Sequence, residues 1–371
     1  MCNNTISNEI YDNTSNINYA IVGFGGIAKT HAIGTYIANL TLGLPFNLNL
    51  KNVVTRTPLP YTVPGSINAV SLEEVLKDPA IHFVDICTPN DSHKDIVLKA
   101  LKYNKSIYCE KPLASNYKEA LEISGAVEAS GVRNATALMY RFMPAVRLIK
   151  EAVEENLIGE IIDFKINLFH KSYLNPNKKG SWRTHAGSGG GALLDLGVHL
   201  IDVIHFTLGN IESVNAKTKV FFKDRTEVDE IAHCSFSLEN GVEGSLEVSR
   251  IFADLEEPTT FTIHGSKGSI KMNSNSPYTI DIYNYDKNSI EVRSAQDRKH
   301  ILQNYPGEKN SFGFHQDCHM ASLVNFSNEL YFNKQNSITP TFKDALKAQK
   351  VIEAAYISSR DLEKVSLNSI D

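Results

Sequence analysis

Material for disulfides is scarce in this chain. Its 371 residues hold 5 cysteines, Cys2, Cys87, Cys109, Cys234 and Cys318, an odd number with no C-x-x-C pair. That excludes a disulfide-stapled scaffold and points to reduced thiols in a cytoplasmic protein. Cys87 and Cys109 each end an apolar run and read as small buried hydrophobes rather than nucleophiles. A dominant charge is missing as well. With 37 Lys and Arg against 42 Asp and Glu, the net charge is −5, so no basic field draws nucleic acid or an anionic membrane. No run approaches the roughly 20 apolar residues that cross a bilayer. Residues 1–17 are rich in Asn and Ser, lack the apolar stretch of a secretory signal, and read as a polar tail. No internal repeat is present. What is there is ordinary globular composition, 42% apolar and 21% charged. A chain of this size suits two domains and buries about three quarters of its unfolded surface.

After the tail, strand and helix signals alternate. Tyr19-Ala20-Ile21-Val22 is a short buried-strand run, and Ala28–Leu40 reads as a helix. Leu48–Val54 is a second strand. Ser71 followed by Glu74 forms a capping box. Phe83–Cys87 is a strand that stops at Thr88-Pro89, with Asp91 or Ser92 as the expected cap of the next helix. Ser106–Cys109 and Ala135–Leu138 are further strands, separated by a helix over Tyr117–Ala129. This order predicts an α/β Rossmann domain, a doubly wound parallel sheet, over residues 18–138. Residues 139–371 read differently. Helical patterns flank a series of strand runs joined by turns such as Glu239-Asn240-Gly241 and Gly265-Ser266-Lys267-Gly268. They predict an α+β domain with a mostly antiparallel, open-faced sheet.

The first strand runs straight into Gly23-Phe24-Gly25-Gly26-Ile27-Ala28, a G-x-G-x-x-G/A pattern with Ala in its last place. Alone the pattern is weak. Between a strand and a helix it is the dinucleotide fingerprint: Gly23 for the tight turn, Gly25 for backbone approach to a pyrophosphate, Ala28 for helix packing. The helix N-terminus supplies the amide donors. An acid that would hold the adenosine ribose is expected at the end of the second strand, and Thr55-Arg56 stands there instead. A hydroxyl and a guanidinium accept a 2′-phosphate, so both NAD(H) and NADP(H) stay open. Thr88, Pro89 and Asn90 face the cofactor edge of such a sheet. His93, just inside the next helix, joins that set, although its position suits a local hydrogen-bonding role. Glu110 and Lys111 close a further parallel strand on the same edge.

The second domain carries Gly189-Gly190-Gly191-Ala192-Leu193-Leu194-Asp195-Leu196-Gly197-Val198-His199, a glycine turn that becomes a helix, with Asp195 and His199 four apart on one face. Taken with the fingerprint, Glu110-Lys111-Pro112, Thr88-Pro89-Asn90, Tyr140-Arg141-Phe142-Met143-Pro144 and Trp182-Arg183, this block resembles the Gfo/Idh/MocA family. The family is named for glucose–fructose oxidoreductase, inositol dehydrogenase and a rhizopine-catabolism protein. The resemblance covers nearly the whole chain after Ile17. It implies an NAD(P)-dependent oxidoreductase of secondary alcohols of sugars, cyclitols or their conjugates. It also implies dimers or tetramers paired through the C-terminal sheet, and it maps the family's Lys, Asp and His onto Lys111, Asp195 and His199.

Residue chemistry leads to the same assignment. Oxidising a secondary alcohol needs a base near neutral pH, which suits the His199 imidazole. Asp195 is expected to orient that ring. Lys111 is expected to stabilise the developing alkoxide. Tyr140, Trp182, Arg183 and His315 are candidate substrate contacts, and His185 reads as loop polarity. His315-Gln316-Asp317-Cys318-His319 imitates a zinc helix, but Gln316 stands where the protease motif has Glu and no third ligand is evident, so no metal is expected. Two other functions share the motifs: redox-assisted glycoside cleavage with tightly held NAD, and a non-catalytic cofactor-sensing regulator. Retention of Lys111, Asp195 and His199 favours the dehydrogenase.

Overall fold

A strand buried on both faces reads as an almost unbroken apolar run, as Tyr19–Val22, Phe83–Ile86 and Ile107–Cys109 do. A computed structural model describes residues 15–178, 184–256 and 258–370. In it Ser15–Val22 (β1), Phe46–Val54 (β2), Ile67–Ala69 (β3), Phe83–Ile86 (β4), Ser106–Cys109 (β5) and Asn134–Thr136 (β6) form one parallel sheet in the order β3-β2-β1-β4-β5-β6. Helices Gly26–Thr41 (α1), Leu72–Lys77 (α2), His93–Leu101 (α3) and Tyr117–Ser130 (α4) connect its strands. This is the Rossmann arrangement, with strand order changing direction at β1, so that the carboxyl ends of β1 and β4 border a crevice. β1 starts at Ser15, inside the stretch expected to be tail. The Ser71 hydroxyl accepts the N–H of Glu74 as its motif predicts. The cap expected at Asp91 or Ser92 does not form: the Ser92 hydroxyl donates to the Pro89 carbonyl (2.7 Å) and its oxygen lies 2.7 Å from Thr88 Oγ1.

After Pro144–Glu154 (α5) the chain enters a second sheet. Its strands are Ile161–Phe169 (β7), Ile211–Lys219 (β8), Ile231–Leu238 (β9), Glu243–Ser249 (β10), Thr260–Gly265 (β11), Gly268–Asn273 (β12), Thr279–Asn284 (β13), Ser289–Ser294 (β14) and Val365–Ser366 (β15). The order is β14-β13-β12-β11-β7-β10-β9-β8-β15, antiparallel except between β7 and β10. Along β7, Phe164, Ile166 and Leu168 are buried while Lys165 and Asn167 lie on the other face. That alternation marks a sheet covered on one side, with its second face open.

The covering layer includes α5, Val198–Thr207 (α6) and Phe342–Asp361 (α9). Lys299–Leu302 (α7) packs near α5. Phe314–Phe332 (α8) behaves differently, since it returns to the first sheet and packs on α1. Tyr108 on β5 donates to Ser322 on α8 (2.7 Å), and Phe83 meets Phe326 edge-on. The helical stretch Ala186–Thr207 is long and apolar enough to cross a membrane, but 89% of its apolar window is buried within the fold, which makes it a core element here. Arg141 braces it. Its guanidinium donates to both Asp202 oxygens (2.8 and 2.6 Å) and lies 3.1 Å from Asp344 on α9.

Candidate active site

The glycine loop lies at the crevice. Gly23 adopts φ +85°, and a Cβ there would come 2.8 Å from Thr88 Cγ2, so only glycine suits the turn. Its N–H donates to the Val54 carbonyl (2.9 Å), which places Thr55 and the exposed Arg56 at the loop's edge. Gly25 and Gly26 differ from Gly23. A Cβ on either would meet nothing within 4 Å, so open space lies over the loop. α1 begins there without a side-chain cap. Free amides, positive helix potential and open space fit a pyrophosphate. Ala28 is fully buried against the sheet, as the fingerprint requires. Phe24 is half-buried on the core, and Ile27 lines the cavity described next.

That cavity, of about 800 Å³, runs from Ile27 and Thr30 to Ser274 and Asn275 of the second domain. Lys111 lies in its wall, at the turn that ends β5. Its ammonium donates to Asp195 Oδ1 (2.7 Å) and to the Asp195 carbonyl (2.8 Å). The second Asp195 oxygen accepts from Arg250 Nη2. His199 lines the same cavity, with the Tyr140 ring centroid 5.2 Å away. Burial, reinforced by the Lys111 charge, holds the His199 imidazole well below its usual pKa, so it is neutral at pH 7. Its Nδ1 is buried without a hydrogen-bond partner.

This corrects one expectation. Among the described residues no hydrogen bond joins Asp195 to His199, and the carboxylate is taken by two cations instead. The local reason is a π-type turn over Leu193–Gly197, which replaces the uniform helix that i,i+4 spacing assumes. Asp229 starts that turn by accepting the Leu193 N–H (2.8 Å) and the Tyr356 hydroxyl (2.9 Å). Burial raises the Asp229 carboxyl to about 6.

The other candidates divide. Thr88, Asn90, Glu110, Tyr140 and His315 line the cavity. The Tyr140 hydroxyl lies 3.2 Å from Thr259 Oγ1. Asn90 uses its amide group to donate to the carbonyls of Ser188 (3.2 Å) and Gly189 (3.1 Å), clasping the glycine turn of the second domain. Pro89 begins the short 3₁₀ turn Asn90–Ser92. His93 does not line the cavity. It is fully buried, with Nδ1 3.1 Å from the Pro112 carbonyl and Nε2 3.0 Å from that of Thr88, and so ties two loops together. The apolar face of α3 carries it inward. His185 is exposed, 3.5 Å from Glu227. Trp182 and Arg183 lie outside the described residues. The four described cysteines are free and buried.

Three participants were missed. Arg250 follows β10 in no motif. His31 and Asp85 left a signal: a histidine on the buried face of α1 with Ala28 and Ala32, and a carboxylate inside the apolar β4. His31 Nδ1 lies 2.9 Å from Asp85 Oδ2, and its Nε2 lies 3.3 Å from His319 Nδ1 and 3.2 Å from Glu110 Oε1. Burial opposes a charge on His31, but Asp85 outweighs it and holds the pKa well above the ordinary value. Burial, with His31 beside it, keeps His319 well below.

Known proteins share this architecture. A family model described as "Oxidoreductase family, NAD-binding Rossmann fold" matches residues 17–137, and one described as "GFO/IDH/MocA C-terminal domain" matches 146–271. Levoglucosan dehydrogenase of Pseudarthrobacter phenanthrenivorans is 28% identical over 331 residues, 80% of this chain and 82% of that protein. Glucose-6-phosphate 3-dehydrogenase of Bacillus subtilis is 26% identical over 363 residues, 95% of this chain and 99% of that protein. A levoglucosan dehydrogenase structure in complex with NADH and levoglucosan superposes with a TM-score of 0.85 at 25% identity, covering 95% of this chain and 100% of the other.

Proposed function

The chain belongs to the Gfo/Idh/MocA family of NAD-binding oxidoreductases, and from that premise we propose that it oxidises one secondary hydroxyl of a sugar, cyclitol or glycoside with the nicotinamide as oxidant, Lys111 and His199 serving the reacting oxygen. The observation that carries this reading is the pairing of a fixed Lys111 ammonium with a neutral His199 in one cavity beside the open glycine loop. When bound, the nicotinamide accepts the hydride, and the ketone and a proton are the remaining products. The protein's share is positioning and proton handling. Lys111 holds the reacting oxygen and stabilises its negative charge. His199, neutral before the reaction, takes the hydroxyl proton as hydride leaves. Asp195 acts on Lys111, aiming the ammonium and, with Arg250, balancing charge in the wall. Hydride transfer of this kind calls for no metal ion.

Thr55 and Arg56 support tolerance of a 2′-phosphate, so we extend the reading to NADP(H) as an alternative cofactor. The open, polar face of the second sheet supports association into a dimer or tetramer there, which sedimentation velocity tests. Four buried free thiols suit the cytoplasm.

The deciding experiment follows nicotinamide absorbance with NAD and NADP separately. The panel is inositols, hexoses, sugar phosphates, anhydro-sugars and glycosides. Reduction of cofactor with one substrate class supports the proposal. Silence across the panel, in protein that binds NADH, overturns it.

A further inference from the structure

The hydride reaction leaves one buried cluster unused. His31 on α1, Glu110 at the end of β5 and His319 on α8 converge from three distant parts of the chain. Their ligand atoms, His31 Nε2, Glu110 Oε1 and His319 Nδ1, all lie within 4.8 Å of one another. We propose that these three side chains form a binding site for a zinc-class divalent transition metal ion.

Spacing is the first argument. Zinc–nitrogen and zinc–oxygen bonds of about 2.0–2.2 Å at tetrahedral angles put neighbouring donor atoms about 3.3–3.5 Å apart. His31 Nε2 stands 3.3 Å from His319 Nδ1 and 3.2 Å from Glu110 Oε1. In the metal-free protein the proton on His31 holds the three atoms together, and a metal ion fitting the same site would replace it. A single Nε2–H serves one neighbour, and here it lies in line with His319 Nδ1. Glu110 Oε1 is buried without a hydrogen bond, on a side chain 8% exposed, and in the metal-free protein the protonated His31 ring 3.2 Å away balances its charge. A cation among the three atoms satisfies them together.

The surroundings are those of a metal site. Asp85 Oδ2 lies 2.9 Å from His31 Nδ1 and, accepting its N–H, leaves Nε2 facing the cluster, where a bound metal ion would take the place of the Nε2 proton. Such carboxylate–histidine pairs are the usual support of a metal-bound imidazole. The second Glu110 oxygen accepts the Lys111 N–H (3.1 Å), which fixes the carboxylate. Glu110 and His319 both line the large cavity, which provides an entry path and room for an exogenous ligand. Two imidazoles and one carboxylate favour Zn²⁺, Co²⁺ or Ni²⁺ over Mg²⁺ or Ca²⁺. A second grouping on the other side of His31, with Asp85 and Cys87, has no such vacancy among its atoms: the Cys87 thiol already donates to Asp85 Oδ1 (3.3 Å). Of the zinc-like pair His315 and His319, from which no metal site was expected, only His319 joins this cluster, with His31 and Glu110.

The test uses untagged, chelator-treated full-length protein without cofactor or substrate. Co²⁺ is followed by absorption and Zn²⁺ by calorimetry. One equivalent should bind with the ligand-field spectrum of a four- or five-coordinate nitrogen–oxygen site and no thiolate charge-transfer band. Asp85→Asn should weaken binding about 10–100-fold, and His319→Ala by at least as much. Cys87→Ser should bind as the native protein does. Absence of saturable binding, or equal affinity in His319→Ala, overturns the site. If His319→Ala does not fold, X-ray absorption of the native Co²⁺ form decides. A shell with two imidazoles supports the proposal, and an all-oxygen or sulfur-containing shell overturns it.

Discussion

The two ends of the cavity are built in different ways. At the glycine loop, one strand, one turn and one helix in a run of contiguous residues supply the open loop and uncapped helix start that we propose cradle a pyrophosphate. At the other end, Lys111, Asp195, His199 and Arg250 come from β5, a π-type turn, α6 and the end of β10, and they meet only because two sheets are held together. The first end is a local device that tolerates change elsewhere. The second depends on packing and on the balance of buried charge.

Substitutions should separate these ends. The largest effects belong to the assembled end. His199→Ala and Lys111→Ala should each lower turnover by about 10²–10⁴-fold while NADH still binds. Steady-state kinetics beside NADH fluorescence titration checks this, and loss of cofactor affinity to the same degree would merge the two ends. Next comes the frame. Asp202→Ala leaves the buried Arg141 guanidinium with Asp344 alone to balance it and should cost about 3 kcal/mol of unfolding free energy, measured by denaturant.

Asp229 gives a pH-dependent version of the same test. Its folded pKa of about 6 lies above the ordinary 3.8, so the protonated form is the one that folding favours. That stabilisation is fully present below about pH 4 and is lost as pH rises through about 6. The stability of the native protein relative to Asp229→Asn should therefore fall by about 2 kcal/mol between pH 4 and pH 7. A difference that stays constant across that range would mean the carboxyl is not strained by burial.

The smallest expected change is at the loop. A Cβ on Gly25 meets no protein atom, and its φ of −81° suits any residue. Gly25→Ala should thus move unfolding free energy by less than about 0.5 kcal/mol. It should weaken NADH binding about tenfold, since the methyl group enters the space left for the pyrophosphate. Equal losses in stability and binding would show the loop to be part of the packed core.

Legibility followed the same division. The fingerprint, the parallel order of the first sheet and the turns of the second could be read because each is set by neighbours in sequence: a φ > 0 glycine, a buried apolar run, a two-residue hairpin. The identities of Lys111, Asp195 and His199 were readable for the same reason, as motifs. Their partnership was not. Spacing of four suggested that Asp195 serves His199, whereas Lys111 and Arg250 hold the carboxylate. His93 has the local hydrogen-bonding role its position suggested, tying two loops in the interior, while its place among the cofactor candidates is not matched by a place on the cavity wall. His31 and Asp85 were visible as polar residues in apolar segments, yet nothing local indicated that they face each other.

From its sequence alone this protein was a Rossmann domain followed by an open-faced sheet, with a dinucleotide loop and a reactive lysine and histidine. Those features rest on φ/ψ preference, on hydrophobic period and on short motifs, all of which act within a few residues. Which carboxylate meets which cation, which histidine stays neutral, and how α8 brings His319 against His31 were decided in three dimensions. Burial and Coulomb interaction depend on distance through space, and residues as far apart as Lys111 and Arg250 have none until the sheets close around them.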